Sequence, residues 1–570
     1  MSTAADDAPN DDPAEAAANN AAALDMLLSD AALGMWRRWI PGMAGVRATG
    51  RLLSQSVRLA PRGLSLAGEF TKIMLGSSTL EAGRDKRFTD PGWTDSRARK
   101  RFLQSYLALS AAARETFDEL DLSWKDSEKL RFILDNVIEA TSPSNNPLIN
   151  PSVLKTVRET RGASIVTGTK NLVSDMKSKP RVPTMVDPDA FDVGKNLAIT
   201  PGVIVLRTDV FELIQYKPTT AKVRSTPLLV VPPTINKYYI LDLAPGRSLV
   251  EYLVASGQQV FAMSWRNPSA EHADWGFDTY GQAILDAMDA ATRIARSKTT
   301  HVIAFCSGGI LTSTLGGQLA AAGKTDQLAS LSLGVTVLAP AGVGLMEAAI
   351  DDRLAKTAKA TSRSKGYLDG KALAEIFAWL RPSDLIWNYW VSNYLQGKTP
   401  PAFDILYWNA DTTRMSAGLH ADFLDAAIAG SLATPGMGKL FGEPVDLSAL
   451  DVDSYIVAGI ADHISPWQSC YRSTQLLGGS NRFVLSTSGH IASLVNPPTN
   501  QKARFRINDD NPPDAADWLA GATTEQGSWW PDYVAWLRER DTTEKAAPKS
   551  LGAKAFPPLY AAPGNYVFED

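Results

Sequence analysis

The feature that most constrains the fold is a strand-like apolar run that ends at one cysteine and two glycines. It reads Thr300-His301-Val302-Ile303-Ala304-Phe305-Cys306-Ser307-Gly308-Gly309 and continues into a helix-like segment to Ala321. A strand, a sharp turn and a helix in this order present one side chain at the carboxyl edge of a parallel sheet. Here that side chain is the Cys306 thiol, and a thiol nucleophile indicates acyl transfer from a thioester.

Strand-like and helix-like runs alternate from about residue 201 onward. The strand-like runs are Val203–Arg207, Val210–Gln215, Pro227–Val231, Gln259–Ser264, His301–Phe305, Leu331–Leu338, Ser454–Gly459 and Arg482–Ser486. Helical patterns at Asp278–Ser297 and Ile310–Ala322 lie between them. This alternation predicts a mostly parallel sheet that is covered by helices on both faces, with a hairpin formed by the first two runs.

Composition and residue patterns along the chain predict four regions: a tail, a helical domain, a catalytic domain and a cap within it. Residues 1–20 are rich in Ala, Asp and Asn, which predicts a disordered tail. Residues 21–195 show helical periodicity and few strand signals, so we expect an all-α N-terminal domain before a catalytic domain at 196–570. The long helical and aromatic insertion at 341–450 predicts a cap that excludes water from the site, with an ordinary helical subdomain as the alternative.

Composition narrows the chemistry and the compartment. The chain has two cysteines, Cys306 and Cys470, which predicts a reducing cytoplasm and no disulfide framework. A net charge of −4 gives no general attraction to nucleic acid. We find no secretory signal and no apolar run long enough for a transmembrane helix. Phosphate loops, dinucleotide fingerprints and metal-ligand spacings are missing too, so we expect no metal and no cofactor.

One stretch carries a local charge bias. From Ala31 to Gly68 there is no acidic residue, while six arginines alternate with apolar residues. The arginines are Arg37, Arg38, Arg47, Arg51, Arg58 and Arg62, and Trp36 and Trp39 are among the apolar residues. Such a stretch binds an anionic or apolar interface, or else forms a solvated helix packed on its own protein. The pattern at 36–62 leaves both alternatives open.

A thiol nucleophile needs a base and a group that orients the base. Of the five histidines, His490 follows the run Arg482–Ser486, and Asp462 follows Ser454–Gly459. The chain order Cys306, Asp462, His490 is the nucleophile–acid–histidine order of the α/β-hydrolase fold. The sequence therefore predicts that fold and this triad.

The other histidines are weaker candidates. His463 adjoins Asp462 and is the main rival base. His301 lies inside the strand that leads to Cys306 and is expected to be structural, while His272 and His420 carry no special signal. Cys470 follows Pro466-Trp467 on a helical run and is expected in the core.

The turn also predicts an oxyanion site. The Ser307 N–H is the first donor after the nucleophile, and the Ile235 N–H in the loop after Pro227–Val231 is the expected second donor. A neighbouring imidazole and a helix N-terminus both favour the thiolate. The stretch Gly63-Leu64-Ser65-Leu66-Ala67 imitates a serine elbow, but no strand precedes it.

Several long motifs resemble the polyhydroxyalkanoate (PHA) synthases, from about Ser142 to the C-terminus. They are Phe305-Cys306-Ser307-Gly308-Gly309, Pro232-Pro233-Thr234-Ile235-Asn236-Lys237-Tyr238-Tyr239-Ile240-Leu241-Asp242-Leu243, Ser264-Trp265-Arg266-Asn267-Pro268, Asn388 to Tyr394, Phe403 to Asn409, Asp462-His463-Ile464, Gly489-His490-Ile491-Ala492 and Gly527-Ser528-Trp529-Trp530-Pro531. In two places the chain departs from the family: Ala304 stands where the box usually opens with glycine, and Thr234 where relatives often carry cysteine. The extra methyl of Ala304 predicts a slightly displaced elbow.

The resemblance implies polymerisation of (R)-3-hydroxyacyl-CoA into a polyester (polyhydroxybutyrate is one such product), with release of CoA. Cys306 would carry the acyl chain, His490 would activate it, and Asp462 would assist deprotonation of the incoming 3-hydroxyl. The resemblance also implies a class I-like homodimer that holds the growing polyester chain at the surface of cytoplasmic granules. Two alternatives stay open: a depolymerase or acyl-CoA thioesterase on the same scaffold, and a granule scaffold with an inactive enzyme fold.

Overall fold

The computed structural model describes residues 24–34, 39–83, 85–177, 179–339, 352–462 and 464–570. The predicted disordered tail at 1–20 therefore lies outside the described residues. The chain divides into two compact units, which we call the sheet unit (1–32, 189–370 and 408–570) and the helical unit (33–188 and 371–407). The structure thus groups the middle of the insertion predicted as a cap at 341–450 with the N-terminal helices.

The sheet unit is built on one eleven-stranded sheet. The strands of the protein are β1 (Gly202–Arg207), β2 (Phe211–Tyr216), β3 (Lys222–Arg224), β4 (Pro227–Val231), β5 (Gln259–Trp265), β6 (Thr300–Phe305), β7 (Leu328–Gly334), β8 (Tyr367–Leu368), β9 (Met415–Ser416), β10 (Lys439–Leu440), β11 (Glu443–Pro444), β12 (Ser454–Gly459), β13 (Asn481–Ser486), β14 (Arg504–Ile507), β15 (Thr523–Gln526), β16 (Glu544–Ala546) and β17 (Tyr560–Ala561). The main sheet has the order β15-β14-β13-β12-β7-β6-β4-β5-β2-β1-β17.

The centre of this sheet is parallel and its flanks are antiparallel. Strands β5, β4, β6, β7, β12 and β13 pair in parallel. The β1–β2 hairpin lies on one side, and β14 and β15 lie on the other. The parallel strands are almost wholly buried, as expected for a sheet that helices cover on both faces. Their carboxyl ends share one edge, where the loops that carry the candidate residues begin.

Helices complete the sheet unit. They are Leu24–Leu33, Leu249–Ala255, Phe277–Ala295, Ser307–Ala321, Asp352–Lys365, Ala417–Ala429, Trp467–Tyr471, Ser473–Leu476, His490–Val495, Ala515–Gly521 and Trp530–Arg540. The prediction of an α/β fold with a mostly parallel sheet is confirmed, and β4 and β12 have the predicted bounds. The run predicted at 331–338 instead forms a strand over Leu328–Gly334, because the chain turns at Val335 with a φ of 45°.

The helical unit contains no strand among its described residues. Its helices are Gly42–Ser54, Ser56–Leu75, Gly92–Asp95, Arg97–Asp118, Trp124–Ala140, Pro151–Glu159 and Ala163–Lys177, and the residues of helices Gly370–Leu380 and Asp404–Ala410 are divided between the two units. Phe88, Trp93, Leu103, Tyr106 and Ile138 form a buried cluster in it. Among the helices that the structure describes, none is both long and apolar enough to cross a membrane.

Most of the basic stretch at 36–62 lies on the helices at 42–75, and arginines of this stretch form ion pairs there. Residues 36–38 lie outside the described residues. Arg47 pairs with Asp126 at 2.5 Å, and Arg62 pairs with Glu115 and Glu119 at 2.5 and 2.6 Å. The apolar side chains point the other way: Met43, Val46, Leu53, Val57 and Leu64 are all more than half exposed. Arg47 and Arg62 therefore fasten these helices to the unit, and apolar side chains of both helices are left open to solvent.

Candidate active site

Cys306 lies on a sharp turn between β6 and the helix Ser307–Ala321. Its backbone has φ 49° and ψ −121°, a conformation that side-chain-bearing residues rarely adopt. The Cys306 N–H donates to the Gly334 carbonyl at the end of β7, at 2.9 Å, which fixes the turn against the neighbouring strand. The strand–turn–helix predicted from the sequence is thus present, with the thiol at the carboxyl edge of the sheet.

Two glycines make this turn possible because the chain passes close to its neighbours. A Cβ on Gly308 would lie 2.3 Å from the Pro232 carbonyl oxygen, and one on Gly309 would lie 2.1 Å from the Thr336 hydroxyl. Ala304, in contrast, is fully buried within β6 and pairs in register with Val231 of β4. The close approach that requires glycine therefore falls after the nucleophile, and the elbow forms with alanine at position 304.

His490 and Asp462 lie together beyond the ends of the two following strands. His490 begins the helix His490–Val495 after β13, and Asp462 follows β12. The His490 Nδ1 lies 2.7 Å from Asp462 Oδ2, while Asp462 Oδ1 accepts the N–H groups of Ile464 and Ser465, both at 2.8 Å. This leaves His490 Nε2 for the Cys306 thiol, which acts on the imidazole both as a charge and as a hydrogen-bonding group.

The charges of the three side chains reinforce one another. Burial of the imidazole opposes its charged form, but the Asp462 carboxylate and the Cys306 thiol raise the pKa of His490 to about 10. The protonated form of the imidazole is therefore favoured at neutral pH. The N-terminus of the helix Ser307–Ala321 adds a positive partial charge at the same point.

The loop after β4 packs against this helix N-terminus. Thr234 donates both its N–H and its hydroxyl to Ser307 Oγ, at 2.9 and 3.0 Å. The Thr234 N–H is thereby occupied, whereas the N–H of Ile235 has no hydrogen-bond partner in the part of the chain that the structure describes. The structure thus brings the loop of the predicted donor Ile235 next to Ser307, and the oxyanion role of both N–H groups stays a prediction.

The remaining histidines serve local structure, apart from His463, which lies outside the described residues. His301 is buried, bonds Ser330 at 2.7 Å, and has its pKa lowered to about 4 by burial. His420 is also buried, between Ser362 and the Leu28 carbonyl, and its pKa is likewise lowered to about 4. His272 accepts the Ser269 N–H in a short turn. None of these three lies at the elbow.

Cys470 is the buried core residue that the sequence predicts, but it lies nearer the site than its position in the chain indicates. It is fully buried in the helix Trp467–Tyr471, and its thiol donates to the Ser465 carbonyl at 3.6 Å. Burial, followed by the nearby charges of Asp462 and Cys306, raises the pKa of Cys470 well above its usual range. Cys470 is therefore a neutral thiol that packs behind the loop of Asp462.

Comparison with known proteins gives the family of this chain. Residues 84–253 match the sequence model of the poly-beta-hydroxybutyrate polymerase (PhaC) N-terminus, and residues 227–497 match that of the alpha/beta hydrolase fold. The chain is 44% identical over 502 residues to poly(3-hydroxyalkanoate) polymerase 1 of Ectopseudomonas oleovorans, covering 88% of this chain and 89% of the relative. It is 39% identical over 490 residues to the poly(3-hydroxyalkanoate) polymerase subunit PhaC of Cupriavidus necator, covering 85% and 83%. The chain therefore belongs to the poly(3-hydroxyalkanoate) polymerases, a family of acyltransferase enzymes with the alpha/beta hydrolase fold.

Proposed function

We propose that this enzyme polymerises (R)-3-hydroxyacyl-CoA through a covalent acyl-Cys306 intermediate and releases CoA. The observation that carries the proposal is the placing of the Cys306 thiol beside the His490–Asp462 pair on a strained turn. A thiolate exchanges with a thioester at little change in leaving-group chemistry, and the acyl-cysteine stays activated for the next step. CoA is the leaving group, and the reaction as proposed uses no metal and no further cofactor.

The first half-reaction transfers the acyl group to sulfur. The Cys306 thiolate attacks the thioester carbonyl, and the new oxyanion accepts hydrogen bonds from the N–H groups of Ser307 and Ile235. As the carbon–sulfur bond to CoA breaks, the His490 imidazolium supplies the proton that the CoA thiolate needs. The products are acyl-Cys306, neutral His490 and free CoA.

The second half-reaction extends the chain. The 3-hydroxyl of another acyl group attacks the acyl-Cys306 carbonyl, and neutral His490 takes the hydroxyl proton. A new ester bond forms, and the bond to the Cys306 sulfur breaks. His490 is again an imidazolium beside a thiolate, so the site is ready for the next acyl transfer.

Asp462 acts through His490 in this scheme. Its side chain is fully buried, Oδ2 is paired with His490 Nδ1, and Oδ1 already accepts two backbone N–H groups. Both oxygens of this carboxylate are thus already engaged by groups of the protein. Asp462 therefore assists deprotonation by fixing the imidazole tautomer and stabilising its charge, as the acid of a Ser-His-Asp triad does.

One assay tests the proposal and separates it from hydrolysis on the same scaffold. Purified protein receives (R)-3-hydroxybutyryl-CoA and longer homologues, while CoA release, free acid and insoluble polymer are measured together. We expect CoA release that is matched by polymer. Free 3-hydroxy acid in place of polymer would indicate an acyl-CoA thioesterase, and depolymerisation of added polyester would indicate a depolymerase.

We also infer that the enzyme works in the cytoplasm as a homodimer at the surface of polyester granules. The exposed side chains of Met43, Val46, Leu53, Val57 and Leu64 support the granule part of this inference. Within the helix Gly42–Ser54 the first three follow one another at spacings of three and seven residues, and within Ser56–Leu75 the last two are seven residues apart. Each set therefore lies on one face of its own helix, the kind of face that lies on an apolar interface. The homodimer rests on the resemblance to the family alone, and light scattering of the purified protein tests it.

A further inference from the structure

Lys237 ends the loop that carries Ile235, and its ammonium group is buried. Only 8% of the residue is exposed. Its Nζ donates to the Val567 carbonyl at 2.7 Å and pairs with Asp411 Oδ1 at 3.0 Å. A buried ammonium is stable only when paired in this way, so these two partners fix the position of Lys237.

Asp411 is held by a further contact within the sheet unit, and so is the backbone of Lys237. Asp411 Oδ2 accepts the Tyr239 hydroxyl at 2.8 Å, next to the same loop. Trp408 Nε1 donates to the Lys237 carbonyl at 2.6 Å. Asp411 thus binds the side chain of Lys237, and Trp408 binds its backbone.

The segment that supplies the Val567 carbonyl, residues 565–569, is anchored as well. The buried carboxylate of Glu212 accepts the N–H groups of Asn565 and Tyr566, at 2.8 and 3.1 Å. Glu569 pairs with Arg266 at 3.1 Å, in the loop after β5. The carbonyl that receives the Lys237 ammonium is therefore held in place from both sides.

The loop from Thr234 to Lys237 is held by hydrogen bonds at both of its ends. At its start Thr234 bonds Ser307, the residue after the nucleophile. At its end Lys237 is fixed as described. Between them lie Ile235, whose N–H is the proposed second oxyanion donor, and Asn236, whose φ of 64° turns the backbone sharply.

We propose that Lys237 is a positioning residue for acyl transfer, because it and the segment at 565–569 aim the Ile235 N–H at the developing oxyanion. This inference rests on the proposed function, since it requires an oxyanion at Cys306. The chemistry at the thiol itself does not depend on Lys237. Loss of the anchor therefore weakens only steps that pass through a tetrahedral oxyanion.

Two reactions of the same thiol separate these roles. Acylation of Cys306 by (R)-3-hydroxybutyryl-CoA, followed as single-turnover CoA release, passes through the oxyanion. Alkylation of Cys306 by iodoacetamide displaces iodide directly and forms no oxyanion. We expect Lys237→Met to slow acylation by on the order of 10²-fold, the usual effect of a misplaced donor, and to leave alkylation at the wild-type rate.

Asp411→Asn is a second variant in which the same two rates are measured, in case Lys237→Met does not fold. It keeps the shape of the anchor but removes the opposing charge, so the ratio of acylation to alkylation falls in the same direction by a smaller factor. Lys545→Met is the matched control, because the Lys545 ammonium also donates to backbone carbonyls in the sheet unit, those of Ser225 and Ala295. Its thermal stability falls, and its rate ratio stays that of the wild type.

The outcomes are distinct. An unchanged ratio of acylation to alkylation in both Lys237→Met and Asp411→Asn would overturn the positioning role, whether the two rates stay at the wild-type values or fall by the same factor. A wild-type protein that is alkylated at Cys306 yet releases no CoA would overturn the proposed function, and the positioning role with it.

Discussion

Two five-residue stretches of this chain look alike and behave differently. Ala304-Phe305-Cys306-Ser307-Gly308 forms the elbow, while Gly63-Leu64-Ser65-Leu66-Ala67 lies inside the helix Ser56–Leu75. In the first, the central residue has a φ of 49° and its thiol faces a buried histidine. In the second, Ser65 is an exposed residue of a regular helix. Whether such a motif forms a nucleophile elbow therefore depends on the strands and helices around it.

The physical difference lies in what precedes each motif. A buried strand directs the chain into the turn at Cys306, and its neighbours β4 and β7 fix where that turn ends. The residues before Gly63 instead continue the helix Ser56–Leu75, which contains Pro61 but no residue with a positive φ. The same contrast separates the two glycines, because Gly308 touches the Pro232 carbonyl whereas Gly63 has open space around it.

The largest expected effect comes from replacing the two central residues. Cys306→Ala should reduce polymer formation by roughly 10⁴-fold or more, since it removes the group that carries the acyl chain. Ser65→Ala should leave the rate unchanged. CoA release from (R)-3-hydroxybutyryl-CoA measures both, and circular dichroism checks that the fold is retained. An active Cys306→Ala protein would place the nucleophile elsewhere.

Asp462→Asn should come next, with a loss of turnover on the order of 10³-fold. Asparagine can still accept the N–H groups of Ile464 and Ser465, so the loop keeps its shape. Its amide, however, donates toward His490 and favours the wrong tautomer of the imidazole. Steady-state CoA release gives the size of the loss. A rate near that of the wild type would show that His490 needs no carboxylate partner.

The glycine pair sharpens the comparison with a smaller effect. Gly308→Ala places a methyl group against the Pro232 carbonyl and should cost about 1–3 kcal/mol of stability, with a loss of turnover. Gly63→Ala should instead raise stability by about 0.5–1 kcal/mol, because alanine is the better residue within a helix. Chemical denaturation of both variants measures the opposite signs. The same sign in both would contradict the different settings of the two motifs.

The pH dependence of stability follows from the charge of His490. Its pKa is about 10 in the folded protein and about 6.5 when unfolded, so the folded protein binds this proton more tightly. The resulting stabilisation is fully present below about pH 6.5 and is lost as the pH rises toward 10. Thermal unfolding of wild type and Asp462→Asn across this window should show a smaller decline in the variant. Parallel curves would contradict the coupling.

The smallest change in stability is expected on the open face of the helices at 42–75. Val57→Gln and Leu64→Gln replace side chains that are 87% and 76% exposed, so stability should change by no more than about 0.5 kcal/mol. Binding to purified polyester granules, measured by co-sedimentation, should fall. Val166→Gln, on another helix and 58% exposed, is the matched control and should sediment like the wild type. Equal sedimentation of all variants would leave no role for this face at the granule.

The regular part of the fold could be predicted because strand and helix periods are local properties. The parallel strands and the two helices that follow β5 and β6 lie close to their predicted places. The edge strands β14, β15 and β17 were missed because they are only two to four residues long, and pairing with the neighbouring strand holds them extended. The grouping of residues 371–407 with the N-terminal helices was missed as well, since chain order gives no sign of it.

The sequence by itself determined the identities and the chain order of Cys306, Asp462 and His490. Each of them follows a buried strand that can be recognised from the pattern of neighbouring residues. Only the tertiary structure decided what surrounds them. The imidazole becomes strongly basic because buried groups from separate strands converge on it. Lys237 meets a carbonyl 330 residues further along the chain. Such distances along the chain leave no periodic pattern, so folding alone brings these contacts together.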